Sequence, residues 1–404
     1  MKCRFEDRLA GHALELLDFR ERIVACHRDE VPSALQAIEA ARAAGRWVGL
    51  LLDYELGEWL LPEATQPPPD EAGPGPVAGL RPDDGSPRLT ALVFDRARQE
   101  APWPAPDAID GHGAAPAPGR PAPQQAGADP ASILGVTPRM VHDDYVRHIA
   151  RIRELIAQGE LYQVNYTMPL DVDVEGDPQA LYRRIAARHP VGHAAYVEDG
   201  ARTVLSFSPE LFVARQGARL VTRPMKGTAP RHADPDEDQR LGQALQASPK
   251  DRAENLMIVD LLRNDLGRLA RPGSVRVDAL FSLEQYPSVW TLTSTISADA
   301  PDATLAQVLA ALFPCGSITG APKITAMRRI RRMEAAPRGL YCGSIGWLAP
   351  DGDFSLNVAI RTLVLPSDGG TARRGVYHVG GGIVHDSDPE REWQECHWKA
   401  RILG

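Results

Sequence analysis

Apolar residues fall at helical spacing through EVPSALQAIEAARAAGR (30–46), and Gly45 stands where helices commonly stop, so the pattern predicts a helix there. The run WVGLLLDYEL is almost continuously apolar and predicts a buried strand, while RLTALVFDRAR alternates like a second one. A helix over 138–158 carries Tyr145, Ile149, Ile152 and Ile156 on one face and closes at Gly159, after which LYQVNYTMPL alternates as a strand. Further strands are predicted at 202–208, 210–215 and 218–224. DRAENLMIVDLLRNDLGR predicts a long helix ending at Gly267, with others at 304–312 and 322–333, the last entered through Pro322. Strands at 340–349, 354–365 and 375–384 precede a final helix with Asp388 as N-cap and Pro389 in its first turn. Helices and strands mixed without strict βαβ alternation predict an α+β fold with antiparallel sheets.

The pattern lapses twice. Residues 65–85 are rich in Pro, Gly and Asp, and 101–131 are almost entirely Pro, Ala and Gly. Such a stretch cannot bury enough apolar surface to offset its ordering entropy. The expected organisation is an N-terminal α+β segment (1–100), a flexible insert (101–132) and a catalytic core (133–404). With 43% hydrophobic residues in 404, the chain has material for a large core. A net charge of -8 argues against a broad cationic face for nucleic acid. Five scattered cysteines form neither a disulfide scaffold nor a CxxC site, which predicts a reduced, cytoplasmic setting. No segment approaches the roughly 18 apolar residues of a membrane span, and MKCRFEDRLAGH lacks an apolar leader.

Candidate chemistry starts with two carboxylate pairs, Asp251/Glu254 and Glu392/Glu395, each spaced to lie on one helix face. Either pair alone is commonplace on a solvated helix; together they are an oxygen-rich provision for Mg²⁺. Lys226 in TRPMKGTAPR ends a strand at a Gly turn, and its amine becomes a nucleophile if burial or nearby cations lower its pKa. Glu210 in SFSPELF serves as a general acid if its surroundings raise its pKa. Gly380, Gly381 and Gly382, read as a link between strands, let amides approach an anion, and GSITGAPK (316–323) brings a turn to a helix N-terminus, another anion site. The spacing of neither matches a nucleotide loop. RRIRR (328–332) reads as a solvated helix face, and Arg361 in NVAIRTL as a strand residue facing either a carboxylate or solvent.

LYQVNYT, SFSPELF, RPMKGTAPR, DRAENLMIVDLLRNDLGR, GSITGAPK, CGSIGW, IRTL, GGGIV and EWQECHWKA, in this order, resemble the chorismate-utilising enzymes, a family that includes anthranilate, isochorismate, salicylate and aminodeoxychorismate synthases. The resemblance covers about 138–404 and is weaker in FEDRLAG and LLLDYELGE. It implies a two-layer antiparallel β-sandwich flanked by helices. Gln163 stands where water-using members place a lysine, which implies ammonia as nucleophile. Lys226 in PMKGT, where other members usually read Ala, is similar to the aminodeoxychorismate synthase pattern and implies a covalent lysine intermediate and amination of chorismate at C4. By the same resemblance Glu210 protonates the departing hydroxyl, Glu254 and Glu395 with Asp251 and Glu392 hold Mg²⁺, and Arg361, Tyr341, Lys399, Gly381 and Gly382 grip the substrate carboxylates. Gln163 and Thr228 complete the substrate contacts.

Two positions depart from the pattern. Thr291 stands where anthranilate synthases carry a histidine, and Cys315 where glycine is ordinary; the cysteine is expected to be tolerated, with a thiol near the site able to confer sensitivity to oxidation. No glutaminase signature occurs, which implies that a separate glutamine amidotransferase subunit supplies ammonia. Anthranilate synthase component I and a catalytically silent regulatory homologue are the alternatives.

Overall fold

In the computed structural model, residues 1–68, 85–106, 131–287, 289–367 and 370–404 are described. The chain opens with strands β1 (Lys2–Asp7) and β2 (His12–Ala25), helix α1 (Val31–Ala43), β3 (Trp47–Leu52), the short α2 (Leu56–Leu60) and β4 (Leu89–Glu100). Then come β5 (Ser132–Pro138), α3 (His142–Ala157), β6 (Gln163–Glu175), α4 (Pro178–Arg188), β7 (His193–Glu198), β8 (Arg202–Ser208), β9 (Leu211–Gln216), β10 (Arg219–Arg223) and β11 (Met225–Pro230). Two consecutive helices, α5 (Pro235–Ala247) and α6 (Pro249–Gly267), lead into β12 (Arg276–Gln285) and β13 (Val289–Asp299). The last part comprises α7 (Leu305–Leu312), β14 (Gly320–Ala321), α8 (Lys323–Met333), β15 (Ser344–Leu348), β16 (Phe354–Asn357), β17 (Thr362–Pro366), β18 (Ala372–Ile383) and α9 (Pro389–Ala400).

All strand pairings are antiparallel and form one winding ladder. It runs β5, β6, β18, β17, β8, β7, β1, β2, β4, β3, β15, β16, β9, β10, β13 and β12, with β11 also on β13 and β14 on β6. The ladder folds back on itself: β1 and β3 share no hydrogen bonds, yet a Cβ on Gly49 would lie 2.6 Å from Cys3 Sγ. Cys3, Phe5, Leu16, Leu51, Phe94, Val197 and Ile345 fill the space between the layers. A larger core lies under the helices, where α3 buries Tyr145, Ile149, Ile152 and Leu155. This is the helix-flanked antiparallel sandwich that the motifs imply.

Several element readings need correction. The run expected as one strand over 354–365 is two, because Arg361 adopts φ 51° and turns the backbone between β16 and β17. β16 pairs with β9 and β15, whereas β17 pairs with β8 and β18. Arg361 is therefore not a strand residue. Gly380 to Gly382 do not link strands but lie inside β18, opposite Thr167, Tyr166 and Asn165 of β6. Strand β3 stops at Leu52, and the rest of WVGLLLDYEL turns into α2.

The basic run in α8 is not simply a solvated face. Arg329 is buried and meets Glu160 at 2.5 Å, and Arg331 pairs with Glu58, tying α8 to the N-terminal segment. Within the Pro/Ala/Gly run, Trp103 packs edge-on against Tyr182 and Tyr196 and stacks under Arg4, which is fully buried. The remainder of that run, 107–130, lies outside the described residues, as do 69–84. Among the described residues, no helix is long and apolar enough to cross a membrane.

Candidate active site

Lys226 sits on β11, immediately before Gly227, whose φ of +83° turns the strand and leaves the room that a Cβ would take from Asp251, 3.0 Å away. That close approach brings the first turn of α6 against β11. Ser248 caps α6 by accepting from the Asp251 amide at 3.3 Å, so Asp251 and Glu254 one turn on face the same space. From the opposite side α9, capped by Asp388, presents Glu392 and Glu395 across Gly381. A Cβ on Gly381 would lie 3.0 Å from Glu392 Oε2, 3.7 Å from Glu395 Oε1 and 3.9 Å from Lys399 Nζ.

The result is a cavity of about 270 Å³ lined by Glu210, Lys226, Thr228, Asp251, Glu254, Tyr341, Arg361, Gly381, Gly382, Glu392, Glu395 and Lys399. Every site residue expected from the sequence is on that wall except Gln163, which lies directly behind it. Gln163 is buried, and a Cβ on Gly382 would lie 2.0 Å from its Nε2 and 3.3 Å from Lys226 Nζ, so both side chains border the space that the glycine leaves. Its Oε1 is buried without a hydrogen-bond partner. Larger cavities of about 400 and 440 Å³ lie elsewhere, but the acidic pairs and the lysine do not reach them.

Charges in the cavity oppose one another. Burial lowers the Lys226 pKa, against the pull of Glu254 and Glu210, and the Lys399 ammonium lowers it further. Burial raises Glu210 to about 7 even though Ser317 donates to its Oε1 at 2.7 Å and Lys226 lies close. A lysine pushed down and a carboxylic acid pushed up are shifted in the directions that favour an amine nucleophile and a general acid. Lys399 pairs with Glu395 at 2.7 Å and donates to Gly380 O at 2.6 Å; burial pulls its pKa down, but Glu395 prevails and raises it. Glu395 is lowered chiefly by Lys399, whereas burial raises both Glu254 and Glu392.

These acids fit Mg²⁺ in kind: they offer only hard oxygen donors, from two helices facing one cavity. Among the described residues, no three acidic, His or Cys side chains converge into a ready-made cage. An ion held here takes the rest of its shell from water or substrate, as Mg²⁺ prefers. Tyr341 is buried and stacks on His378, with ring centroids 5.1 Å apart, which fixes its ring at the cavity wall. The left-handed backbone at Arg361 turns that residue to the same wall.

Sequence reasoning missed several wall residues. Ser317 comes from GSITGAPK, which had been read as an anion site. Instead, Lys323 at the start of α8 is occupied by Asp265 at 2.6 Å, and the turn delivers Ser317 to Glu210. Lys250, 4.0 Å from Glu254, also lines the cavity. Thr291 is buried and donates to Gly227 O at 3.0 Å, holding the turn after Lys226. Cys315 is buried, and burial pushes its thiol up to about 11, which disfavours the thiolate from which oxidation proceeds.

A sequence model of the chorismate binding enzyme family matches residues 8–403. Aminodeoxychorismate synthase component 1 of Klebsiella aerogenes is 43% identical over 268 residues, 65% of this chain and 58% of the relative. Anthranilate synthase component 1 of Streptomyces coelicolor is 38% identical over 327 residues, 80% of this chain and 60% of that protein. The chain thus spans under two thirds of the length of these relatives. In fold it is similar to anthranilate synthase component I from Streptococcus pneumoniae, with a TM-score of 0.77 at 24% identity, covering 98% of this chain and 92% of the other. A match along nearly the whole sequence, and a cavity that gathers its motifs, make this chain a member of the chorismate binding enzyme family.

Proposed function

We propose that the protein aminates chorismate at C4 with ammonia, giving 4-amino-4-deoxychorismate. The observation that carries this reading is the juxtaposition of Lys226, held partly buried with a lowered pKa, and Glu210, buried with a raised one, on the wall of one acid-lined cavity. The 43% identity to an aminodeoxychorismate synthase component 1 supports it.

In this scheme the neutral Lys226 amine adds at C2, the ring double bonds shift, and the C4 hydroxyl leaves as water with the proton of Glu210. Ammonia then adds at C4, the double bonds shift back, and the Lys226 amine departs from C2. One C–O bond is exchanged for a C–N bond with no change of oxidation state. Arg361, Lys399 and the amides of Gly381 and Gly382 orient the two substrate carboxylates, so the charged groups are in place before the bonds change. The unpartnered Gln163 Oε1, behind Lys226, accepts from the incoming ammonia. Glu254 and Glu395, helped by Asp251 and Glu392, would hold Mg²⁺, which when bound offsets the charge of the ring carboxylate. Ammonia comes from a glutamine amidotransferase subunit, a reading that the word "component" in the relatives' names supports.

The test uses the purified chain with chorismate, Mg²⁺ and ammonium, products being identified by mass. The expected product is the 4-amino compound, with Lys226→Ala losing it. Anthranilate as the sole product, or full retention of the 4-amino product by Lys226→Ala, overturns the proposal.

A further inference from the structure

Cys315, Ser317 and Glu210 are almost fully buried, at 4%, 4% and 3% exposure, and form a chain of polar contacts ending at the cavity. Ser317 Oγ donates to Glu210 Oε1 at 2.7 Å, and Cys315 Sγ lies 3.2 Å from the same hydroxyl oxygen. A serine hydroxyl carries one proton, already given to Glu210, so the thiol is the donor in the second contact. The Met225 amide also donates to Oε1, at 3.4 Å. Two donors on Oε1 make it the carbonyl oxygen of the protonated acid. The proton then resides on Oε2, for which no hydrogen bond exists among the described residues.

We propose that Cys315 is a positioning residue for Glu210: by donating to Ser317 it fixes the serine hydroxyl on Oε1 and leaves Oε2 to carry the proton to the substrate. No bond is made to sulfur and no electron moves. The inference deepens the proposed function and rests on Glu210 as the acid of that reaction. The thiol is suited to a donor's part, because burial and the nearby Glu210 push it up to about 11 and it stays protonated. Glycine or alanine at 315 has no such donor, and without it the Ser317 hydroxyl is free to rotate toward other acceptors, such as the nearby backbone.

The groups facing Glu210 are Lys226 on β11, Arg361 at the bend before β17, and the thiols Cys315 and Cys342. Lys226 and Arg361 favour the carboxylate, as do Ser317 and the Met225 amide, while burial opposes it. Loosening the Ser317 contact therefore raises the Glu210 midpoint further.

Infrared pH-difference spectra on the full chain, without substrate, read that midpoint; Glu210→Gln identifies the band. Cys315→Ala is expected to move the midpoint upward and Cys315→Ser to bring it back toward the parent. In turnover with chorismate, Mg²⁺ and ammonium, Cys315→Ala is expected to lower kcat about three- to ten-fold with little change in KM. Coincident midpoints for the parent and Cys315→Ala, or a Cys315→Ser midpoint as displaced as that of Cys315→Ala, overturn the proposal. Ser317→Ala gives a second check: Cys315→Ala added to it is expected to shift the midpoint no further, and an equal further shift overturns the relay. The spectra need no turnover, so a parent that fails to aminate chorismate refutes the proposed reaction and leaves this measurement standing.

Discussion

A Cβ on Gly382 would lie 2.0 Å from the side-chain nitrogen of Gln163, so the bare glycine in β18 is what lets that amide reach the space beside Lys226. The obstructed atom is the end of a flexible side chain, and the fold should survive its displacement. Gly382→Ala is expected to melt close to the parent while kcat/KM for amination falls about a hundred-fold, the usual effect of moving a reacting group by about an ångström. Steady-state kinetics beside a thermal melt check this, and unaltered kinetics would contradict the packing argument.

Glu210 gives a stability signature independent of catalysis. Its pKa is raised from 4.5 to about 7, so the favourable neutral form is fully present below about 4.5 and is lost as pH rises through 7. Glu210→Gln removes the buried charge. Its melting temperature is therefore expected to gain on the parent between pH 5 and pH 8; a constant difference across that range would count against a buried ionisable acid. Amination itself should decline as pH rises through about 7, and vanish at every pH in Glu210→Gln.

Metal binding tests the acidic helices. Glu254→Gln and Glu395→Gln are each expected to weaken Mg²⁺ binding by about ten-fold or more when it is titrated calorimetrically with a non-reacting dicarboxylate present, since each removes one of few protein ligands. Glu63, an acid remote from the cavity wall, is the control, and Glu63→Gln should bind Mg²⁺ like the parent. Equal affinities across all three variants would detach the helices from the ion.

Arg338 is 2% exposed and holds Glu334 at 2.7 Å, the Ile318 carbonyl at 2.9 Å and the Asn165 carbonyl at 2.6 Å, behind the site. Glu334→Ala strands the guanidinium and is expected to cost about 3–5 kcal/mol in urea unfolding. Replacing both residues by apolar ones of similar size should cost much less.

Much of this site was legible because its chemistry sits on strongly periodic elements. The i,i+3 acids of α6 and α9 could be placed on single faces from spacing, and Asp388 was readable as the N-cap of α9, whereas Ser248, which caps α6, was not singled out. The position of Arg361 was not legible: a left-handed bend at a non-glycine residue has no local signature, and NVAIRTL alternates as if the strand went on. Strands β1, β2, β7, β12 and β13 went unassigned although β1–β2, β7–β8 and β12–β13 are local hairpins, because which of their positions are buried also depends on remote neighbours, as where β1 meets β7 and β13 meets β10. β12, mostly exposed or half-exposed along its length, has no alternation to read. Ser317 looked like an ordinary turn residue, since only the fold brings it to an acid 107 positions away.

The early strands also set when this polypeptide can mature. β1 completes its hydrogen bonds only with residues 194–198, and β3 only with 344–348. On the ribosome the first fifty residues must therefore wait, with two bare edges, until most of the chain has emerged. Such long-range closure makes for slow folding, and a fragment ending near residue 100 would be a sticky four-stranded sheet in search of its missing neighbours.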